Sequence, residues 1–158
     1  GMGESISNGL EVIQENGKTR IKVNTKNSEV SYVIDGIEYA ADSLKNGIPD
    51  EIATVNMITS PTNAKKSYVV INTKQKKGQF ISYANGVLKY KYNKQEYTLN
   101  PEKLEEPALV INNRLTRSFN IDPVQIIQIR PASELERQLL GAPSAQVIIV
   151  TDKMGFFF

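Results

Sequence analysis

The residues of this chain that could perform acid–base or metal chemistry are carboxylates, because the sequence contains no histidine and no cysteine. Acidic residues cluster at Asp35, Glu38 and Asp42, and again at Asp50-Glu51. Paired carboxylates can hydrolyse glycosides or hold Ca²⁺. Asp35-Gly36 is also typical of a turn that ends a strand, and this structural interpretation is the one we favour.

Other reactive arrangements are absent from the sequence. It contains no G-x-S-x-G elbow, no glycine-rich phosphate loop and no serine three residues before a lysine. Without histidine the commonest general base near neutral pH and the commonest metal ligand are both missing. We therefore predict that the chain is not an enzyme and has no catalytic residue, metal site or cofactor.

Aromatic side chains are the candidates for binding. Four tyrosines recur in the segment 83–97, where they could form a stacking platform for a glycan or another small ligand. Strand alternation offers a second interpretation, in which one face of the segment is packed and the other solvated. At the end of the given sequence, Phe156-Phe157-Phe158 could fold back over an apolar face or contact a partner. The candidate binding surface comprises Tyr83, Tyr90, Tyr92, Tyr97, Phe156 and Phe157.

Charge and hydropathy limit the possible partners. A net charge of +2 gives no strong field for nucleic acid or an anionic membrane, so we predict no nucleic-acid partner. No apolar run is long enough to span a bilayer. Gly1 before Met2 is typical of a trimmed tag, and we expect that a signal peptide has been removed.

The elements that must position these residues form a repeat. Asn8-Gly9 returns as Asn85-Gly86, and the runs 32–36 and 68–73 return as 109–113 and 146–151, about 77 residues further on. Internal duplication explains this constant offset more easily than chance does. The sequence therefore predicts a first repeat at residues 1–78 and a second at residues 79–158.

Each repeat is predicted to begin with antiparallel strands. A turn at Asn16-Gly17 would pair Glu15 with Lys18, and Val12 with Ile21. In the second repeat, turns at 85–86 and 93–94 predict a three-stranded meander. Its predicted cross-strand pairs are Tyr83 with Leu88, Ile81 with Tyr90, Tyr90 with Tyr97, Leu88 with Leu99, and Lys91 with Glu96.

Three further strands are predicted in each repeat. Their predicted ranges are 30–34, 51–58 and 67–73 in the first repeat, and 108–111, 124–129 and 145–151 in the second. A capping box at Ser133 and Glu136, followed by Gly141, predicts a helix before the last strand. Because residues 147–150 are apolar on both faces, we expect that strand to be central and covered on both sides.

The strands and turns of this three-part unit resemble the plug domain of TonB-dependent outer-membrane receptors of the Bacteroidetes type. The resemblance rests on Tyr32-Val33-Ile34-Asp35-Gly36 in the first repeat. In the second it rests on residues 121–129, 131–141 and 147–153. The likeness covers about 45 residues of each repeat, but Asn112-Asn113 replaces Asp-Gly and the first repeat lacks the helix. No barrel follows, and the family has no catalytic residues to transfer.

The resemblance implies an α+β protein made of two tandem β-α-β plug-like units, each preceded by a β-hairpin or meander, with mixed sheets and few short helices. It implies a non-catalytic module of the periplasm or cell envelope that binds a protein partner for docking or regulation. A small-ligand or glycan-binding module that uses the tyrosine-rich meander is the alternative function, and a cytoplasmic location is the alternative compartment.

Overall fold

The computed structural model describes residues 5–7, 10–23, 29–75 and 78–152. Its contacts divide the chain into two compact units, Gly1–Lys74 and Gln75–Phe158. Within the described residues, each unit contains one three-stranded antiparallel sheet and one four-stranded mixed sheet. We call them unit 1 and unit 2. No helix in the described part of the chain is long and apolar enough to cross a membrane.

In unit 1 the three-stranded sheet has the order β1-β2-β3 and the four-stranded sheet has the order β5-β4-β7-β6. A 3-10 helix at Ala41–Leu44 follows β5. The strands are β1 (Ser5–Ser7), β2 (Leu10–Glu15), β3 (Lys18–Val23), β4 (Glu29–Ile34), β5 (Ile37–Ala40), β6 (Ile52–Thr59) and β7 (Lys66–Thr73).

Unit 2 repeats this arrangement, with the orders β10-β9-β8 and β12-β11-β14-β13. Two 3-10 helices, Pro101–Lys103 and Pro123–Gln125, lie in its connections. Its strands and helix are β8 (Phe80–Ala84), β9 (Val87–Tyr92), β10 (Gln95–Leu99), β11 (Leu109–Ile111), β12 (Arg114–Thr116), β13 (Ile126–Pro131), α1 (Glu134–Leu139) and β14 (Val147–Thr151).

The predicted hairpin register is confirmed. Glu15 lies opposite Lys18 and Val12 lies opposite Ile21. The turn residue Asn16 has a φ of 52° and Gly17 has a φ of 75°. Both angles are those of the tight turn that an Asn-Gly pair favours.

The predicted meander is confirmed except at one position. Leu88 pairs with Tyr83 and with Leu99, and Tyr90 pairs with Tyr97. The predicted pair of Ile81 with Tyr90 is wrong. Phe80 takes that place, because a bulge between Phe80 and Ser82 shifts the register and leaves Ile81 42% exposed. A bulge inserts one unpaired residue, which two-residue alternation cannot anticipate.

The strand predicted to be central is central, and so is its counterpart in unit 1. β14 lies between β11 and β13, and all five of its residues are buried. β7 lies between β4 and β6. Each is parallel to one neighbour and antiparallel to the other.

The fold class predicted from the sequence is wrong. Strands make up 52% of the described part of the chain and helical turns 12%, so the fold is mostly β. The one α-helix among the described residues, α1, has six residues and joins β13 to β14, which are antiparallel. A β-α-β unit needs a helix between parallel strands. Here the parallel pairs arise differently, because the last strand inserts between two earlier strands of its sheet.

The helix itself begins as predicted. The Ser133 hydroxyl accepts a hydrogen bond from the Glu136 backbone N–H, and the Glu136 carboxylate accepts one from the Ser133 backbone N–H. Two backbone donors that lack partners at a helix start are thereby satisfied. In unit 1 the matching connection between β6 and β7 contains turns and no helix.

Candidate functional site

The candidate functional site is β5, which lies at the edge of the four-stranded sheet of unit 1. All four of its residues are exposed. Ile37 is 58% exposed and Tyr39 is 38% exposed, and both are among the few large apolar side chains that the described residues leave exposed. Among those residues, β5 pairs with β4 alone, so its outer backbone groups face no described strand.

The apolar side chains of β5 extend the core face of the sheet. Ile37 lies opposite Ile34, and Tyr39 lies opposite Tyr32, on the neighbouring strand β4. Tyr32 belongs to the core cluster of unit 1, and Ile34 packs against that cluster. Opposite residues of a strand pair project to the same face. The apolar face therefore continues to the edge, where its last members are open to solvent.

The one charged side chain of β5, that of Glu38, lies on the other face of the strand. Glu38 alternates with Ile37 and Tyr39, and its carboxylate accepts a bond from the Lys66 ammonium at 3.4 Å. The Lys66 ammonium also lies 5.0 Å from the centre of the Tyr68 ring. A hydrogen bond with Tyr68, and secondarily Glu38, raises the pKa of Lys66 above its usual value. This charge pair leaves the Ile37 and Tyr39 side of the edge apolar.

The equivalent edge of unit 2 is polar. Arg114 lies opposite Ile111 and Thr116 opposite Leu109, so they occupy the positions that Ile37 and Tyr39 hold in unit 1. Immediately after β12, the Arg117 guanidinium donates hydrogen bonds to the backbone carbonyls of Leu104 and Glu105. Short length and charged residues are the means by which proteins protect sheet edges. Unit 2 uses both, whereas unit 1 leaves an apolar edge.

Two side-chain hydrogen bonds, which we call the polar clamp, hold the turn before each edge strand. In unit 1 the Asp35 carboxylate accepts bonds from the Thr73 backbone N–H at 2.9 Å and from the Thr73 hydroxyl at 2.5 Å. In unit 2 the Asn112 amide oxygen accepts from the Thr151 N–H at 3.0 Å, and its NH₂ donates to the Thr151 hydroxyl at 2.9 Å. Asp35 and Asn112 have φ angles of 50° and 51°. They thus perform the same structural task at the turn into β5 and β12.

The contacts of Asp35 and Glu38 also bear on the hypothesis that their carboxylates act as a pair in hydrolysis or Ca²⁺ binding. Asp35 binds Thr73 at the carboxyl end of β7, whereas Glu38 binds Lys66 at the amino end of the same strand. Within the described residues no group of three or more acidic side chains is placed to hold a metal ion. Asp35 and Glu38 are thus bound by different residues of β7, Thr73 and Lys66, and both contacts hold the edge strand in place.

The tyrosines of the candidate platform lie on the packed face of the meander. Tyr90 is 2% exposed and stacks on Tyr97 with 5.0 Å between ring centres. Tyr83 stacks on Phe119 at 4.6 Å, and Tyr92 packs against the same core cluster of unit 2. The expectation of an exposed Tyr90 ring is wrong, because alternation turns this face inward. Phe156 and Phe157 lie outside the described residues.

The burial of Tyr90 affects its titration. Desolvation, followed by the neighbouring Tyr97, raises the pKa of Tyr90 far above the usual 10.0, and Arg130 opposes this shift. A phenol in such a site stays neutral at physiological pH. The Tyr90 ring therefore serves the core, although Tyr90 and Tyr97 also line a cleft of about 450 Å³ in unit 2.

The sequence analysis missed a buried ion pair. Arg130 on β13 and Glu136 on α1 are 1% and 4% exposed, and two hydrogen bonds of 2.6 Å join their side chains. Arg130 also donates to the Gln128 side chain at 3.0 Å. Since the groups satisfy one another, the pair is structural and fixes α1 on its sheet. No sequence signal separates this arginine from a solvated one on an alternating strand.

Comparisons with known proteins returned no match: no family model, no curated protein and no solved structure is significantly similar to this chain.

Proposed function

We propose that this protein is a non-catalytic docking module in which β5 of unit 1 receives an extended segment of a partner protein. The observation that carries this proposal is the exposure of Ile37 and Tyr39 at positions where unit 2 has Arg114 and Thr116. The two units share their sheet order, so the difference lies in the surface and not in the scaffold.

Strand addition suits this edge for two reasons. The backbone N–H and C=O groups on an outer strand can form a new ladder, which provides affinity. Ile37 and Tyr39 project to one side of that ladder and would lose water when a partner strand covers them. Burial of apolar surface contributes about 25 cal/mol per Å². Backbone pairing and apolar contact thus act on the same four residues.

The chemistry of β5 indicates the chemistry of the partner segment. Its alternate residues would lie beside Ile37 and Tyr39 and should be apolar, preferably β-branched or aromatic. The residue between them would lie beside Glu38 and should be basic or small. An apolar–basic–apolar alternation is the segment that the edge fits.

A second copy of this chain fits less well. The antiparallel register that matches Ile37 with the second copy's Tyr39 also places two Glu38 side chains directly opposite each other. Like charges in that position destabilise a strand pair. A register shifted by one residue would turn the apolar face of one copy toward the polar face of the other. The edge therefore favours a different protein as partner.

We place the module in the periplasm or cell envelope. This part of the proposal is supported by the resemblance of Tyr32-Val33-Ile34-Asp35-Gly36, and of the segments 121–129, 131–141 and 147–153, to plug domains of TonB-dependent receptors. In the structure, Asp35 holds the turn at the end of β4. Fractionation of native cells, with detection of the chain in periplasm, envelope and cytosol, tests the compartment. A chain found only in the cytosol would overturn the proposed location.

The docking proposal is tested by affinity capture from native-cell extract with three baits compared by quantitative mass spectrometry. The first is the unaltered chain, and the second is Ile37→Arg with Tyr39→Thr, which copies the edge of unit 2. The third is the matched control Ile81→Thr with Val124→Thr. Ile81 and Val124 are 42% and 83% exposed, so this control removes two exposed apolar side chains from unit 2.

We expect a partner that the unaltered chain and the control capture equally, and that the edge variant captures at least about tenfold less, a loss of roughly 1.4 kcal/mol. Equal capture by the edge variant would overturn docking at β5. So would an extract from which the unaltered chain captures nothing above the background of an unrelated bait.

A further inference from the structure

A cleft within unit 1 is built differently from the β5 edge. It has a volume of about 480 Å³ and lies between the β2–β3 hairpin and the 3-10 helix Ala41–Leu44 with the segment that follows it. Sites for small organic ligands commonly have volumes of about 300–1,000 Å³. Ile37, Glu38 and Tyr39 do not line this cleft.

Backbone contacts hold the two walls together at one end. The Thr19 N–H donates to the Ile48 carbonyl at 3.2 Å, and the Ile48 N–H donates to the Thr19 carbonyl at 2.8 Å. Gly47 has a φ of +86°, and a side chain there would meet the Lys18 Cβ and the Thr19 carbonyl at 3.1 Å. This close approach holds the two walls together at that end of the cleft.

The floor of the cleft is apolar. Tyr32 and Ile48 are 7% and 4% exposed, and Ile21 and Leu44 pack against them. The Tyr32 hydroxyl donates to the Ile21 carbonyl at 3.3 Å, so the polar end of this ring already has a partner. The ring and the aliphatic side chains are left to contact a hydrocarbon or aromatic group.

The rim of the cleft is cationic. Arg20, Lys22 and Lys45 line it, together with one carboxylate, Glu15. Arg20 bonds Glu15 at 3.3 Å and the Lys45 carbonyl at 3.0 Å. Arg20 and Glu15 thus compensate each other. Of the two lysines that line the rim, Lys22 lies opposite Glu11 on the hairpin, so Lys45 provides most of the uncompensated positive charge above the apolar floor.

From this combination we infer that the cleft binds a small single-chain amphiphile with an anionic head, such as a medium-chain carboxylate. The hydrocarbon lies against Tyr32 and Ile48, and the carboxylate lies at the rim near Lys22 and Lys45. Charge complementarity favours an anion: a cationic head would meet like charge, and an uncharged head would gain no charge interaction with the lysines.

The test is a titration of the full chain with octanoate, and separately with octan-1-ol, followed by amide chemical shifts in NMR spectra. Octanol has the same chain length without the charge. We expect octanoate to shift the amides of Ile21, Leu44 and Ile48 saturably, with a Kd on the order of 1 mM. Octanol should bind at least about fivefold more weakly.

Two variants locate the head group. Lys22→Gln with Lys45→Gln should weaken octanoate about fivefold and leave octanol within about twofold. Lys89→Gln with Lys91→Gln, two exposed lysines of unit 2, is the matched control and should change neither. Raising the salt from about 20 to 500 mM should weaken octanoate only, since added ions screen exposed charges.

The inference is overturned if neither compound gives saturable shifts at these amides, if both bind equally, or if the lysine variant binds octanoate as the unaltered chain does. Because Ile37 and Tyr39 do not take part, the edge variant Ile37→Arg with Tyr39→Thr should bind octanoate normally. The cleft and the docking edge can therefore fail separately.

Discussion

The two four-stranded sheets of this protein share a scaffold and differ at their outer edges. Both have a last strand inserted between two earlier strands, and both have a bulge two residues into the preceding strand, between Ile52 and Thr54 in unit 1 and between Ile126 and Gln128 in unit 2. Both end the first strand in the same polar clamp. The edges, in contrast, carry Ile37 and Tyr39 in one unit and Arg114 and Thr116 in the other.

This difference separates the features that the two units share from those in which they differ. Backbone topology, bulge and clamp depend on burial and on hydrogen-bond geometry, and they recur in both units. Side chains at an outer edge are free of those restraints, so polar residues can protect one edge while the other carries exposed apolar residues. The connection before the last strand also differs, because only unit 2 has α1 and its buried ion pair.

The largest effect should come from breaking that ion pair. Glu136→Ala leaves the buried Arg130 guanidinium without its carboxylate and removes half of the capping box. We expect the free energy of unfolding of unit 2 to fall by about 3–5 kcal/mol. Hydrogen exchange of peptides from β13 and β14 measures this loss.

The control for this substitution is Glu134→Gln. The Glu134 side chain is 77% exposed where it pairs with Arg137, so the expected change is below about 1 kcal/mol. Equal effects of the two substitutions would show that the Arg130–Glu136 pair does not hold α1 in place.

Substitutions in the two polar clamps test whether both units hold their edge strands in the same way. Asp35→Ala removes two bonds to a charged acceptor, and we expect unit 1 to lose about 2–3 kcal/mol. Asn112→Ala removes two bonds to a neutral amide, and we expect unit 2 to lose about 1–2 kcal/mol. Hydrogen exchange of β7 and β14 distinguishes them. A larger loss from Asn112→Ala would contradict the expectation that the charged acceptor, Asp35, contributes more stability than the neutral amide.

Gly47 tests the contact that closes one end of the cleft in unit 1. Gly47→Ala places a Cβ on a residue of positive φ, where it is strained, and 3.1 Å from atoms of Lys18 and Thr19. We expect the free energy of unfolding to fall by about 2 kcal/mol. Gly17→Ala is the matched control, because Gly17 has a φ of +75° with no atom within 4 Å of an added Cβ. It should cost about 1 kcal/mol. Equal losses in urea unfolding would mean that the approach at Gly47 is unimportant.

Alkaline pH should weaken unit 2 through Tyr90. Burial raises the pKa of Tyr90 in the folded state, so the folded form holds this proton more tightly than the unfolded form does. The stability from this group is complete below about pH 10 and is lost as the pH rises above 10, by about 1.4 kcal/mol for each pH unit. Tyr90→Phe should reduce this loss by about 1.4 kcal/mol at pH 11, as measured by urea unfolding at pH 9 and 11.

Much of the scaffold could be predicted because local chemistry specifies it. Asn16-Gly17 fixed a turn, opposite charges and apolar residues agreed on one register, and Ser133 with Glu136 marked the start of α1. The predicted β-α-β units were wrong because sequence order does not show which strand inserts between which. The pairing of β14 with both β11 and β13 is a non-local outcome.

The candidate site was harder to predict. β5 has only four residues, follows a turn directly and was not predicted as a strand, although Ile37, Glu38 and Tyr39 alternate as strand residues do. The tyrosines attracted attention by their number, but Tyr90 is buried. Aromatic content alone does not reveal which face of a meander packs inward. The contrast between Ile37 and Arg114 becomes visible only when the strand registers are known.

The most direct test of the central claim is hydrogen exchange of the complex with the captured partner, compared with the free chain. We predict that the amides of Glu38 and Ala40, which point away from β4, become protected at least about tenfold, because strand addition gives them new backbone hydrogen bonds. Residues 114–116 should exchange at unchanged rates. Protection at 114–116, or a complex that leaves residues 37–40 exchanging as in the free chain, would contradict docking at β5.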